Sequence, residues 1–210
     1  MLNKISALSI LLISSFNLQA QLREPVERPI FTKGDNWTYR NIDDWTGKET
    51  GQSFLEFVAS EGNYLVFRNT NKNTNATTTL RDDLDLGACR TLKDAEAPVC
   101  GGSYKFPMAV GHKTGYTKLP WPNGAGYDDA KCDVAASEKI TVPAGTFDTL
   151  RLECDGFSTR RFDGTGTSSF KFTIWYSPLV KRFAKIVGEN RANNQIQDKS
   201  SRELVSFQVK

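Results

Sequence analysis

From Ser169 to Tyr176 the chain runs Ser-Phe-Lys-Phe-Thr-Ile-Trp-Tyr, so that Phe170, Phe172, Ile174 and Tyr176 alternate with Lys171 and Thr173. Successive side chains of an extended strand point to opposite faces, and this segment therefore carries one apolar and one wet face. Strands buried on both sides read as unbroken apolar runs, whereas a half-wet strand fits an antiparallel sheet. The same period of two recurs along the chain, while few windows place apolar residues three and four apart as a helix requires. Strands are expected at Asn36 to Ile42, Gln52 to Ala59, Asn63 to Thr70, Thr77 to Leu80, Lys113 to Leu119, Asp133 to Val142, Phe147 to Asp155, Ser169 to Tyr176, Arg182 to Gly188 and Arg202 to Val209. Turn residues punctuate them, among them Gly47, Gly51, Glu61-Gly62-Asn63 and Pro143-Ala144-Gly145. The expected fold is mainly β, a single antiparallel curved sheet of hairpins with little helix. Two segments depart from the pattern. The polar stretch 69 to 79 reads as a hairpin loop, and Asp85 to Gly102 reads as a short helix tied across its base by Cys89 and Cys100.

The first 20 residues have a different character. Lys4 precedes an apolar run from Ile5 to Phe16, and the small residue Ala20 follows a short polar stretch, which is the order of a cleavable export signal. The run is shorter than the roughly 20 residues that cross a bilayer, and no later stretch is longer or more apolar. Residues 1–20 are thus expected to be a signal peptide and residues 21–210 a single β-rich domain without a transmembrane segment. The first cysteine is Cys89, so none stands at the cut to carry a lipid, and the mature chain is expected to be soluble and periplasmic or secreted. The formal net charge is +3, and no run of Lys and Arg interleaves with aromatics, which argues against a nucleic-acid partner.

Cys89, Cys100, Cys132 and Cys154 are the four cysteines, and in an oxidising compartment two disulfides are expected. No pair has the C-x-x-C spacing of a zinc site and His112 is the sole histidine, so no metal and no cofactor is expected. Of the three possible pairings, the short loops favour Cys89 with Cys100 and Cys132 with Cys154. A hairpin centred between Ala144 and Gly145 sets Cys154 opposite about Ala135, so the second pair needs a bulge or a longer loop.

No catalytic constellation is evident. His112 lies between Gly111 and Lys113, far from any G-x-S-x-G elbow. Asp82, Asp83 and Asp85 lack calcium-loop spacing, since the twelfth residue from Asp82 is Lys93. The loop Leu119 to Asp129 offers Trp121, held between two prolines, and Tyr127, beyond two glycines, as aromatic candidates for ligand contact or for capping the end of a sheet.

Three patches, Gly34-Asp35-Asn36-Trp37-Thr38-Tyr39, Val142-Pro143-Ala144-Gly145-Thr146-Phe147, and Trp175-Tyr176-Ser177-Pro178 followed by Val180-Lys181-Arg182, resemble a family of exported bacterial proteins of unknown function. That family is similar in architecture to the periplasmic lipoprotein-carrier proteins, whose antiparallel sheet curls into an unclosed barrel with an apolar concave face. The resemblance implies no catalytic residues. It implies an exported protein that binds an apolar or amphiphilic, lipid-like ligand in a curved sheet, with Phe170, Phe172 and Ile174 lining the concave face. The opposing expectation is a structural or interaction protein of the cell envelope, with a filled core, no ligand and an envelope protein as partner.

Overall fold

A computed structural model describes residue 22 and residues 25–92, 97–160, 167–193 and 195–210. The expected signal segment 1–20 lies outside the described residues. Twelve strands follow one another: β1 (Asn36–Asp43), β2 (Lys48–Glu61), β3 (Tyr64–Asn71), β4 (Thr77–Asp83), β5 (Ala88–Arg90), β6 (Val99–Gly101), β7 (Lys113–Pro120), β8 (Gly126–Val142), β9 (Gly145–Arg160), β10 (Thr167–Ser177), β11 (Arg182–Ala192) and β12 (Gln195–Gln208). The only helical element among the described residues is a 3-10 turn at Pro178–Val180. All ten expected strands are present. They form one antiparallel sheet in the order β6-β5-β4-β3-β2-β1-β12-β11-β10-β9-β8-β7. Two meanders, β1 to β6 and β7 to β12, therefore share the β1–β12 ladder. The sheet curls until β6 meets β7 without a ladder between them: a Cβ on Gly101 would lie 2.9 Å from the Cβ of Tyr116. The result is a barrel with one unsealed seam.

The concave face is divided. At the end holding the Pro143-Ala144 and Pro178–Val180 turns, it is filled by Trp37, Tyr39, Phe67, Leu150, Leu152, Tyr176 and Leu204, each at most 1 % exposed. The link between β6 and β7 runs inside and helps to fill it. Met108 is fully buried and its backbone bridges to Val26, while Tyr104 and Phe106 lie 5.5 and 5.4 Å from the Tyr176 ring. This segment and the N-terminal arm plug half of the barrel. The convex face carries cross-strand ion pairs instead, including Lys139–Asp148, Lys171–Asp155, Arg81–Glu61 and Arg40–Glu203–Lys185. A face studded in this way is unlike the apolar outer band of a membrane-spanning barrel.

The described parts of Asp85 to Gly102 correct the expected helix. Asp83 accepts the backbone N–H groups of Asp85 and Gly87, Leu86 takes a φ of 62°, and the chain doubles back into β5 rather than starting a helix. Cys89 then stands directly opposite Cys100 in the β5–β6 ladder and the two are bonded. Cys132 and Cys154 are likewise cross-strand partners and bonded. The β8–β9 turn is centred on Pro143-Ala144, one residue earlier than expected, and Ala135 is a bulge, which together bring Cys132 into register.

The three sequence patches prove to be one packing unit. Asp35 meets the Lys181 ammonium at 2.8 Å, the Trp37 indole N–H donates to the Val180 carbonyl at 2.7 Å, and the Tyr39 hydroxyl donates to the Phe183 carbonyl at 3.0 Å. Past the turn, Gly145 adopts a φ of 136° and Phe147 packs edge-on against Phe207 at 5.7 Å. Trp37, Tyr39, Phe147 and Tyr176 are core, whereas Trp175 faces the convex side, where its indole N–H donates to Glu138 Oε1 at 2.6 Å.

Candidate functional site

Strand register builds the open half of the concave face from rows that run across the sheet. One row is Asn41, Arg202, Ile186, Ile174, Leu152 and Val134, on β1, β12, β11, β10, β9 and β8. The next row towards the mouth is Asp43, Ser200, Gly188, Phe172, Cys154 and Cys132. Directly opposed residues share a face, so the apolar floor of the core grades into a mixed lining within two rows. A cavity of about 580 Å³ opens there, lined by Asn41, Thr50, Ile186, Gly188, Ser200 and Arg202 among others. Gly188 is its thinnest point, for a Cβ there would meet nothing nearer than the Ser200 carbonyl oxygen at 4.0 Å.

Arg202 sets the electrostatics. It is solvent-exposed within the cavity, its Nε donates to Asn41 Oδ1 at 2.8 Å, and among the described residues it forms no ion pair. Partial desolvation by the surrounding walls lowers its pKa, the Tyr39 phenol opposes the shift, and the Arg182 guanidinium deeper in the barrel adds to it. Arg182 is compensated: both Nη atoms reach Asp82 Oδ2 at 3.2 Å, and the guanidinium lies 4.4 Å from the Phe67 ring centre. Burial pushes the Asp82 carboxyl upward, with the Arg182 charge opposing it.

The five aromatic and aliphatic candidates are placed differently. Ile174 is buried core, 4 % exposed. Phe172 is half-buried at the margin of the core, and Phe170 stacks on it at 5.7 Å while lying across Gly156, where a Cβ would sit 2.2 Å from the ring. Trp121 folds onto Gly126 and its indole N–H donates to Asp128 Oδ1 at 2.8 Å, an oxygen that also receives Ser158 Oγ at 2.7 Å. Arg90 binds the other Asp128 oxygen and the Pro120 carbonyl at 3.1 Å each, tying β5 to the β7–β8 end across the seam. Tyr116 lies near this cluster, its phenol pushed up to about 12 by burial and by the Asp128 charge. Tyr127, one residue from Asp128 on the same strand, belongs to the opposite face and does not join Trp121. Sequence reasoning missed Arg202, Asn41 and Gly188. The available signal was parity: Arg202 is two residues from the fully buried Leu204, so a charge stands in inward register.

Other chemistry-bearing residues are engaged elsewhere. Asp85 accepts from Arg28 at 2.7 Å and from Lys105 at 3.0 Å, and His112 stands at an exposed turn. Among the described residues no group of three or more His, Cys, Asp or Glu is gathered that could hold a metal ion.

This geometry defines an unclosed antiparallel barrel, half plugged and half open. Solved structures share the architecture. The chain is similar to a candidate lipoprotein of Parabacteroides distasonis ATCC 8503, with a TM-score of 0.58 and 15 % identity over 89 % of this chain and 100 % of that one. It is also similar to a candidate exported protein with a YmcC-like fold from Bacteroides fragilis NCTC 9343, with a TM-score of 0.53 and 13 % identity over 87 % of this chain and 99 % of that one. No family model and no curated protein matches the chain.

Proposed function

We propose that the protein is exported and holds an apolar or amphiphilic ligand in the open half of its barrel. The observation that carries this reading is the cavity of about 580 Å³ above a floor that includes Ile186, next to the Phe170–Phe172 stack. Cores are normally filled to close packing, so a gap at a barrel mouth is the usual place for a small-ligand site, and its mixed lining, with Ile42 and Ile186 beside Asn41, Thr50, Ser200 and Arg202, suits an amphiphile. Export is supported by the leader-like residues 1–20 and by two disulfides, which belong to oxidising compartments. The likeness to a candidate lipoprotein and a candidate exported protein of bacteria supports export in the same way. The test is uptake of the neutral dye N-phenyl-1-naphthylamine by the native protein and by Gly188→Trp. The expected result is a saturable fluorescence rise that the variant loses while its melting temperature stays within a few degrees. A native protein that takes up no dye, or a folded variant that takes it up as well, would overturn the reading.

The plugged half favours the second reading, an envelope interaction protein that uses its edges or loops. Absence of dye uptake together with a stable complex with an envelope protein would establish that alternative. Terminal sequencing of exported material is expected to begin at Gln21, and an intact Met1 would refute the leader.

A further inference from the structure

We infer that the ligand of this cavity carries a single anionic head group, bound by Arg202, with its apolar part lying over Ile186 and Phe172; the inference rests on the ligand-binding reading above. Arg202 has the right chemistry and the right vacancy. Its Nε is fixed on Asn41, which orients the guanidinium fork, and no carboxylate lies within ion-pair distance of it among the described residues. A partly desolvated cation beside a second guanidinium is an unfavourable arrangement, and an entering anion relieves it. Arg182 does not compete, because Asp82 already neutralises it.

The remaining polar groups narrow the class. Two further charged residues line the cavity, Asp43 and Asp198. Asp43 is occupied by the backbone N–H groups of Trp45 and Thr46 at 2.8 and 3.4 Å, and Asp198 accepts from Ser200 Oγ at 3.3 Å. These carboxylates stand beyond Arg202 towards the mouth. They repel a polyanion but permit one charge to settle on Arg202. From β12 to β10 is two strand spacings, about 10 Å, so a head on Arg202 brings an unbranched tail across Ile186 to Phe172. The class is a single-chain amphiphile ending in a carboxylate or a comparable monoanion.

The experiment compares decanoate with decanol on the native protein, Arg202→Gln and Arg202→Lys, by competition with the neutral dye at low and high salt. Native protein is expected to bind decanoate about tenfold more tightly than decanol, the worth of one charge-assisted pair, with the preference shrinking as salt rises. Arg202→Gln is expected to bind both at the decanol affinity, and Arg202→Lys to keep part of the preference. Equal binding of the two ligands by native protein, or an unchanged preference in Arg202→Gln, overturns the head-group assignment while leaving the ligand-binding reading intact. Failure of both ligands to bind native protein removes both readings. Should Arg202→Gln fold poorly, the decanoate–decanol ratio and its salt dependence in native protein decide alone.

Discussion

Asp35 shows how one side chain closes this molecule. It is fully buried and accepts from Lys181 Nζ at 2.8 Å and from the backbone N–H groups of Thr32 and Lys210 at 2.9 Å each. It thus ties the N-terminal arm, the 3-10 turn and the C-terminus together. Burial alone would raise its carboxyl, but the Lys181 hydrogen bond, the two backbone donors and the Lys181 charge outweigh it, and the pKa falls below 3.8. A carboxyl depressed in the folded state contributes stability that is complete above the unfolded value and is lost as pH falls through the folded one. Asp85 and Glu203 are lowered in the same way, each opposed by burial and held down by two basic side chains. The protein should therefore lose urea resistance below about pH 4, and a flat midpoint from pH 6 to pH 2.5 would refute this. Asp35→Ala leaves Lys181 without its carboxylate and orphans two N–H groups. It is expected to cost about 3 kcal/mol at pH 7 and to flatten the acid limb, both read from urea melts.

Strands and their irregularities account for what the sequence disclosed and what it hid. The alternation at Phe170, Phe172, Ile174 and Tyr176 located β10 and its inward face, because parity is a local property of an extended chain. The turn at Pro143-Ala144 was equally legible from residue type. Register was not. The bulge at Ala135 and the turn centre set which residue faces Cys154, and neither leaves a mark in the local pattern. The cavity was hidden for a related reason: Asn41, Arg202 and Gly188 become neighbours only through the β1–β12–β11 pairing, which joins residues far apart in sequence. Two consequences belong to this scale. Phe67 is 1 % exposed and central, whereas Phe172 is half-buried at the core margin, so Phe67→Ala is expected to cost about 4 kcal/mol and Phe172→Ala less than half of that. Equal losses in thermal melts would mean that Phe172 is ordinary core and that the mouth is filled. The two disulfides also differ in access. Cys132 and Cys154 are 1 % and 2 % exposed, while Cys89 and Cys100 are partly open, so mild thiol should reduce the Cys89–Cys100 bond first, and alkylation of the freed thiols should mark Cys89 and Cys100 in peptide maps of the native protein.

At the scale of the whole molecule, the barrel is held unequally around its circumference. The β1–β12 ladder joins the two meanders over eight register pairs, and Trp37, Tyr39 and Leu204 are buried on its concave side. Diametrically opposite, β5 and β6 are three residues each and β6 has no ladder partner in β7. The cross-ties at the seam are side chains, chiefly Arg90 to Asp128 and Thr114 Oγ1 to the Ser103 carbonyl at 3.0 Å. Local opening follows the distribution of buried apolar contact and ladder hydrogen bonds, so the seam should open without the remainder of the barrel. Hydrogen exchange on the native protein is expected to show amides of β5, β6 and β7 exchanging through local fluctuations, insensitive to low urea. Those of β1 and β12 should exchange only with global unfolding. The buried link between β6 and β7 makes the experiment sharper: Met108 is bridged to Val26 and fully buried, so its amide should follow the slow set although its flanking strands follow the fast one. If Met108 exchanges with β6 and β7, the plug leaves with the seam and the barrel opens as a two-sided clam; if all three strands match β1, the seam is sealed in solution and the open half of the barrel is reached by the mouth alone.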